Sequence, residues 1–233
     1  MLTTLLLLCS LAVAGLDADL ERAANGDLSE AMRREAFNSL TRSYSTERPQ
    51  MEAVLFDQKA DARQRWVLAR SLGHTGSKDA MRALLKLCED PMPAMRAAAA
   101  GGLGDLGFKD ASPKVASLLE DDAIMVRGEA AIALGKIGDH ASAPALEAAL
   151  RDRSNFYRDQ SLWVRVHYVT ALGQIGAPSS TAVLIAALED QDRAVQDAAL
   201  AALREAEGFD FAEGRTRSEH IQAWQRWYAA QDR

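Results

Sequence analysis

The sequence predicts an all-α fold, an α-solenoid in which about six two-helix repeats stack into a superhelix. Three observations predict it. Leu-Gly pairs recur at positions 72-73, 103-104, 134-135 and 172-173, so that the first three are evenly spaced and the last follows a longer interval. Similar segments surround the pairs: QRWVLARSLGHTG, MRAAAAGGLGDLG, VRGEAAIALGKIG and VRVHYVTALGQIG. Hydrophobic residues make up 48% of the chain and aromatic residues only 6%, because alanine, the strongest helix former, is abundant.

Each repeat is predicted to contain two helices joined by a glycine turn. In the fourth repeat Val126 and Leu134 belong to one apolar face of the first helix. Gly135 and Gly138 follow, and glycine tolerates the left-handed backbone that ends a helix, so a turn is expected here. Pro144 then suits the first turn of the second helix, where its missing N–H group costs nothing.

The outermost repeats are degenerate. One more period after Leu172 reaches Leu203, where the glycine is lost, and one period before Leu72 reaches Leu40. The repeat solenoid is therefore expected to occupy residues 16–208.

An aspartate follows the glycine of each Leu-Gly pair at a constant distance, and an arginine usually begins the next repeat shortly after the aspartate. Arginine can bind a carboxylate at two points. The charges therefore predict a ladder of bonds between successive repeats, built from Asp90, Asp121, Asp152, Asp190, Arg96, Arg127 and Arg165.

The pattern V-R-x-x-A-A-x-A-L-G-x-I-G, followed by a helix that closes in L-x-D, resembles HEAT repeats. It is similar in particular to the PBS-lyase HEAT-like group, over residues 30–206. That group contains scaffolds, phycobilin lyases and a few metal-dependent hydroxylases, so the resemblance implies a fold and leaves the activity open. The hydroxylases use paired His-Glu motifs, and no histidine of this chain precedes a glutamate.

Residues 209–233 depart from the repeat and are predicted to form a C-terminal capping helix. Thr216 and Glu219 have the spacing of a capping box. Aromatic side chains then form one stripe, which includes Trp224 and Trp227. Because a solenoid must cover the apolar edge of its last repeat, the stripe is interpreted as a cap, with partner binding as the alternative.

Residues 1–15 are predicted to be a signal peptide, which implies export to the periplasm or the extracellular space. No charged side chain occurs before Asp17, and Ala12-Val13-Ala14 resembles a cleavage site. No Lys or Arg precedes the apolar run, and two alternatives stay open, a membrane anchor formed by the uncleaved N-terminus and a hydrophobic terminal helix. The apolar run is short for a membrane span.

The repeat is interrupted once, by an insertion at positions 153–161. Insertions in solenoids form loops on one face, which is often the binding face. Tyr, Trp and Arg are also enriched at interface hot spots. We therefore take Phe156, Tyr157, Arg158 and Trp163 as candidate partner-binding residues. The alternative is that these aromatic side chains fold back onto neighbouring helices.

The sequence shows no pattern typical of catalysis. It lacks a phosphate-binding loop, a G-x-S-x-G motif and an H-E-x-x-H motif. A net charge of −6 and the absence of a basic block argue against nucleic acid as partner. The histidines occupy different positions of the repeat and are expected at the surface, so no metal site and no cofactor are predicted: His74, His140, His167 and His220.

The prediction for function is a non-catalytic scaffold or adaptor that binds a protein partner, with no membrane contact beyond the export signal. The alternative, suggested by the resemblance alone, is a phycobilin-lyase-like protein that binds or attaches a pigment. A DNA-binding HEAT-like module ranks last because the chain is acidic.

Overall fold

The structure, a computed structural model, describes residues 15–231. The predicted signal peptide at residues 1–15 lies almost entirely outside the described residues and stays a prediction. The described chain is helical apart from turns and one short hairpin, which confirms the all-α solenoid fold class. Within residues 15–231 none of the helices is both long enough and apolar enough to span a bilayer.

The helices group into two compact units, Met1–Leu106 and Gly107–Arg233. The described part of the first unit contains five helices: residues 15–24 (α1), Glu30–Phe56 (α2), Ala62–Leu72 (α3), Lys78–Leu87 (α4) and Pro93–Leu106 (α5). Its core is formed where α3 packs against α2, α4 and α5.

The second unit continues the alternation of long and short helices. Its α-helices are Ser112–Ser117 (α6), Ile124–Ile137 (α7), Ala143–Arg151 (α8), Val164–Ile175 (α9), Thr181–Ala187 (α10), Arg193–Glu207 (α11) and Arg217–Ala229 (α12). Helix α9 packs against α7, α8 and α11, and α10 packs against α11 and α12. Short 3-10 turns lie at Lys109–Ala111, Leu118–Glu120, His140–Ser142, Arg153–Asn155 and Pro178–Ser180.

Only the second glycine of each L-G-x-x-G segment forms the predicted turn. Gly138 and Gly176 have φ values of 65° and 64°, in the left-handed region, and each ends a helix. Gly135 and Gly173, in contrast, lie inside α7 and α9. A Cβ atom on Gly173 would come within 2.7 Å of the Cα atom of Ala202 in α11, so this glycine allows the two helices to approach closely.

The first repeat lies in α2, whose two helical segments meet at a kink at Glu47 (φ −111°, ψ 15°). Pro49 follows within the same helix and causes the kink, because proline removes a backbone donor and its ring collides with the carbonyl group one helical turn earlier. A proline kink therefore replaces the glycine turn that this repeat lacks.

The arginine ladder exists, but its pairing differs from the prediction. Arg96 and Arg127 donate to the backbone carbonyl groups of Asp90 and Asp121, at 2.9 and 2.8 Å. Carbonyl groups near a helix end lack helical partners, which explains this contact. Where a carboxylate is the partner, it belongs to the aspartate that follows the arginine, as in the buried pair Arg65–Asp90.

The C-terminal helix α12 begins with the predicted capping box, in which Thr216 and Glu219 satisfy each other's backbone N–H groups. Trp224 is fully buried, and its ring stacks on Phe209 at a centroid distance of 5.2 Å. The prediction that His220 is a surface residue is wrong. Its side chain is largely buried and pairs with Asp210, because the loop before α12 packs Phe209 and Phe211 against Trp224.

Candidate functional site

The insertion at residues 153–161 folds into a β-hairpin. Strands Phe156–Tyr157 (β1) and Gln160–Ser161 (β2) pair antiparallel. Arg158 and Asp159 form the two-residue turn with φ values of 47° and 65°. A turn with both central residues at positive φ matches the twist of a hairpin, although Asn-Gly is its preferred sequence.

Asn155 anchors the base of the hairpin to the helices. Its side chain is 1% exposed, and its amide group donates to the carbonyl oxygen of Ala149 at 2.9 Å. Its Oδ1 atom accepts hydrogen bonds from Arg127 Nε at 3.0 Å and from the Tyr168 hydroxyl at 3.4 Å. Burial raises the pKa of Tyr168. The Asn155 side chain thus joins the insertion to α7, α8 and α9.

A second anchor lies at the other end of the hairpin. Ser161 donates to Asp190 Oδ1 at 2.7 Å, and Arg165 forms a buried ion pair with Asp190 and a hydrogen bond with Ser161. Burial alone would raise the pKa of Asp190. Hydrogen bonds from the Asp192 N–H group, Ser161 and Arg165 outweigh burial and hold this pKa below its usual value.

The candidate residues of the hairpin differ in their exposure. Phe156 is half-buried, and its ring centroid lies 4.1 Å from the Arg165 guanidinium and 5.1 Å from that of Arg153. Tyr157 is 60% exposed, with the Arg158 guanidinium 5.2 Å from its ring centroid. The hairpin therefore packs Phe156 inward and presents Tyr157 and Arg158 to solvent.

Trp163, which directly precedes α9, is 48% exposed. One edge of its ring lies over Gly128 of α7, where a Cβ atom would come within 2.7 Å of the ring. The other neighbour is His167, which contacts the ring edge-on at a centroid distance of 5.3 Å. Burial lowers the pKa of His167, so this imidazole is neutral at physiological pH. One edge of the Trp163 ring thus packs against α7, while about half of the surface of the side chain stays accessible.

A groove with a volume of about 390 Å³ lies beside the hairpin, between α8 and α10. Apolar side chains form most of its lining, among them Leu150, Phe156 and Val183. Arg151, Arg165 and Asp190 supply its charged groups. No sequence pattern indicates this groove, because its lining comes from segments that are far apart along the chain. The same holds for the Asn155 anchor.

Among residues 15–231 no group of three or more His, Cys, Asp or Glu side chains has the geometry to hold a metal ion. The single cysteine of this part, Cys88, is buried in the first unit.

The HEAT-repeat family model matches residues 49–122, 81–163 and 154–209, which together cover more than half of the chain. The chain belongs to the HEAT-repeat family. The match includes the hairpin and both of its anchors. The alternating helices and their glycine turns are therefore those of HEAT repeats, and the hairpin is an elaboration of one repeat.

Among solved structures the chain is similar to the complex of CpcE and CpcF of phycocyanin lyase from Nostoc sp. PCC7120. The identity is 28%, the TM-score is 0.59, and the match covers 68% of this chain and 64% of that chain. This chain thus spans slightly less than two thirds of that relative. Human deoxyhypusine hydroxylase matches at 17% identity with a TM-score of 0.43, covering 86% of this chain and 99% of that chain. No curated protein shows significant similarity.

Proposed function

We propose that this HEAT-repeat protein is a non-catalytic scaffold or adaptor, and that the hairpin and Trp163 contact its protein partner. The observation that carries the proposal is the exposure of two large aromatic side chains, Tyr157 and Trp163, on segments that buried anchors hold rigidly. Rigid aromatic groups favour binding because little conformational entropy is lost when a partner covers them. Arg158, beside the Tyr157 ring, adds the third residue type that is common at hot spots.

The proposal is tested with the double variant Tyr157→Ser/Trp163→Ser. Proximity labelling in the native host identifies the partner of the wild-type chain, and affinity is then measured between the two purified proteins. Loss of two hot-spot residues, at about 2 kcal/mol each, is expected to weaken binding by well over tenfold.

The matched control is Trp66→Ser, because Trp66 is 45% exposed but lies in the first unit, on α3. This variant is expected to bind the partner as the wild type does. Equal affinity of the double variant and the wild type would show that the hairpin and Trp163 do not contact the partner. If no partner were found, the proposal that the protein is a scaffold would be contradicted.

The similarity to the phycocyanin lyase structure favours a second candidate function, the binding or attachment of a pigment. The test is the visible absorbance spectrum of a free bilin in the presence of the purified chain. A pigment-binding protein is expected to shift and sharpen the absorbance bands, because the bound bilin is held in one conformation. An unchanged spectrum at excess protein would eliminate this candidate and would leave the scaffold proposal intact.

A further inference from the structure

The groove beside the hairpin has the size and lining of a binding site. Its volume of about 390 Å³ lies within the range of about 300–1,000 Å³ that is usual for ligand pockets. Leu150, Phe156 and Val183 form apolar walls, and Ala182 and Ala186 are small, exposed residues of α10 that leave the space between these walls open.

Arg165 brings an unused hydrogen-bond donor to this groove. Its side chain is only 8% exposed and is held by three contacts: Nε donates to the Leu150 carbonyl oxygen, and Nη1 donates to Ser161 and Asp190. Its Nη2 atom donates to no atom of residues 15–231, and the side chain lines the groove. Because Nε and Nη1 are already hydrogen-bonded, the guanidinium is held in one orientation, and its Nη2 N–H groups can donate to an oxygen of a ligand in the groove.

A second guanidinium stands at the rim. The Arg151 side chain is 64% exposed, and its Nη2 atom lies 3.8 Å from Glu147 Oε2, too far for a hydrogen bond. The other oxygen of Glu147 accepts a hydrogen bond from Ser180 at 2.9 Å. The lining has two cations, Arg151 and Arg165, and one anion, Asp190, and Glu147 lies beside Arg151 outside the lining. Both guanidinium groups keep N–H donors that these carboxylates do not use, so the groove can accept a negative group.

We propose that the groove binds a short peptide segment of the protein partner in which an apolar side chain stands next to a carboxylate. The apolar side chain lies between Leu150, Phe156 and Val183, and the carboxylate accepts hydrogen bonds from Arg165 Nη2 and Arg151. A peptide is the occupant because the groove shares Phe156 with the hairpin, so that a protein seated on Tyr157 has the groove within its reach. This inference rests on the proposed scaffold function and specifies the chemistry of its partner.

The test is a selection of short random peptides displayed on phage, performed in parallel on the wild-type chain and on Ala186→Trp, whose indole fills the groove. Ala186 is exposed on α10, so the substitution leaves the core intact. Ala201→Trp, at an exposed position of α11, is the matched control. Peptides enriched on the wild type and on Ala201→Trp are expected to combine an aromatic or aliphatic residue with an adjacent Asp or Glu, and Ala186→Trp is expected to enrich none of them.

One enriched peptide is then synthesised for affinity measurements, with its acidic residue intact and replaced by the corresponding amide. Both the amide peptide and the charge reversal Arg151→Glu are expected to weaken binding about tenfold, the size of one lost charge-assisted hydrogen bond. Arg204→Glu, an exposed arginine of α11, makes the same charge change away from the groove and is expected to leave the affinity unchanged.

Three outcomes would overturn the inference: no enriched peptide, peptides that bind Ala186→Trp equally well, or binding that is indifferent to the carboxylate. Binding of octanoate by a chain that binds no peptide would also overturn it, since the groove would then be a site for a small amphiphile. Each of these results leaves the scaffold proposal standing, because that proposal is tested by partner affinity of the hairpin variants.

Discussion

At the residue scale, a few buried polar side chains determine where the exposed aromatic groups of the hairpin lie. Asn155 satisfies the Ala149 carbonyl oxygen, Arg127 Nε and the Tyr168 hydroxyl at once. Each of these groups is buried, and a buried polar group that loses its partner costs more free energy than the hydrogen bond itself contributes. Asn155 therefore has a structural role that is distinct from the exposed residues beside it.

Replacement of Asn155 by Ala is expected to lower the free energy of unfolding by about 1–3 kcal/mol, because buried Arg127 Nε loses its partner and the Ala149 carbonyl oxygen keeps only the N–H group of Asp152. The measurement is urea unfolding. Trypsin cleavage at Arg153 and Arg158 should also become faster, since the hairpin loses one of its two anchors. Asn38→Ala, at an exposed position of α2, is the control and should change neither quantity. Unchanged cleavage in Asn155→Ala would mean that the anchor at Ser161 suffices.

At the scale of the elements, the Leu-Gly period predicts the helices correctly, since the same apolar spacing recurs in each repeat and the second glycine ends the first helix. The hairpin is not predictable in this way. Its turn residues, Arg158 and Asp159, have positive φ values but lack the glycine or asparagine that would indicate them. The groove is also not predictable from the sequence, because it depends on how α8, α10 and the hairpin pack. What the sequence does indicate is that aromatic residues interrupt a regular repeat at positions 153–163.

Glycines inside the helices differ in what a Cβ atom would contact, either the backbone of a neighbouring helix or the end of a side chain, and this difference gives a prediction at the scale of the elements. Alanine in place of an interior helical glycine normally stabilises a helix by about 1 kcal/mol. Gly173→Ala is instead expected to destabilise the protein by about 1–3 kcal/mol, because the new Cβ atom would meet the backbone of α11 at Ala202, which cannot move without shifting the helix.

Gly128→Ala is the matched comparison. Its Cβ atom meets the far edge of the Trp163 ring, which can rotate away, so the change in the free energy of unfolding is expected to stay within about 1 kcal/mol. Tryptophan fluorescence should shift as this ring moves. Equal destabilisation by both substitutions in urea unfolding would contradict the view that close backbone approach, and not the helix itself, requires Gly173.

At the scale of the whole molecule, a buried ion pair recurs in both compact units, with the arginine preceding the aspartate by the same interval along the chain: Arg65–Asp90 in the first and Arg165–Asp190 in the second. The two pairs differ in their surroundings. The Arg65 side chain has no exposed surface, whereas the Arg165 side chain is 8% exposed and lines the groove. The same element of the repeat is thus sealed in one unit and open in the other, and this difference separates a purely structural ion pair from one that a ligand can reach.

The ion pairs predict how stability depends on pH. Burial alone would raise the pKa of Asp90, but hydrogen bonds from Gln58, the Met92 N–H group and Arg65 lower it, and the pKa of Asp190 is lowered as well. The folded state therefore binds fewer protons than the unfolded state as pH falls. Both carboxylates contribute their full stability at pH values well above the unfolded pKa of about 3.9, and the contribution is lost progressively as pH falls from about 5 through the depressed folded pKa.

Asp90→Asn should consequently destabilise the protein by about 3 kcal/mol at pH 7, because Arg65 stays buried without a counter-charge. Asp190→Asn should cost less, since the Arg165 side chain is partly exposed at the groove. Urea unfolding at several pH values between 7 and 3 measures both deficits. Each deficit should shrink as the pH falls, because the wild type then loses the same interaction. A deficit that stays constant over this range would show that side-chain packing, and not the ionised carboxylate, stabilises the repeats at these positions.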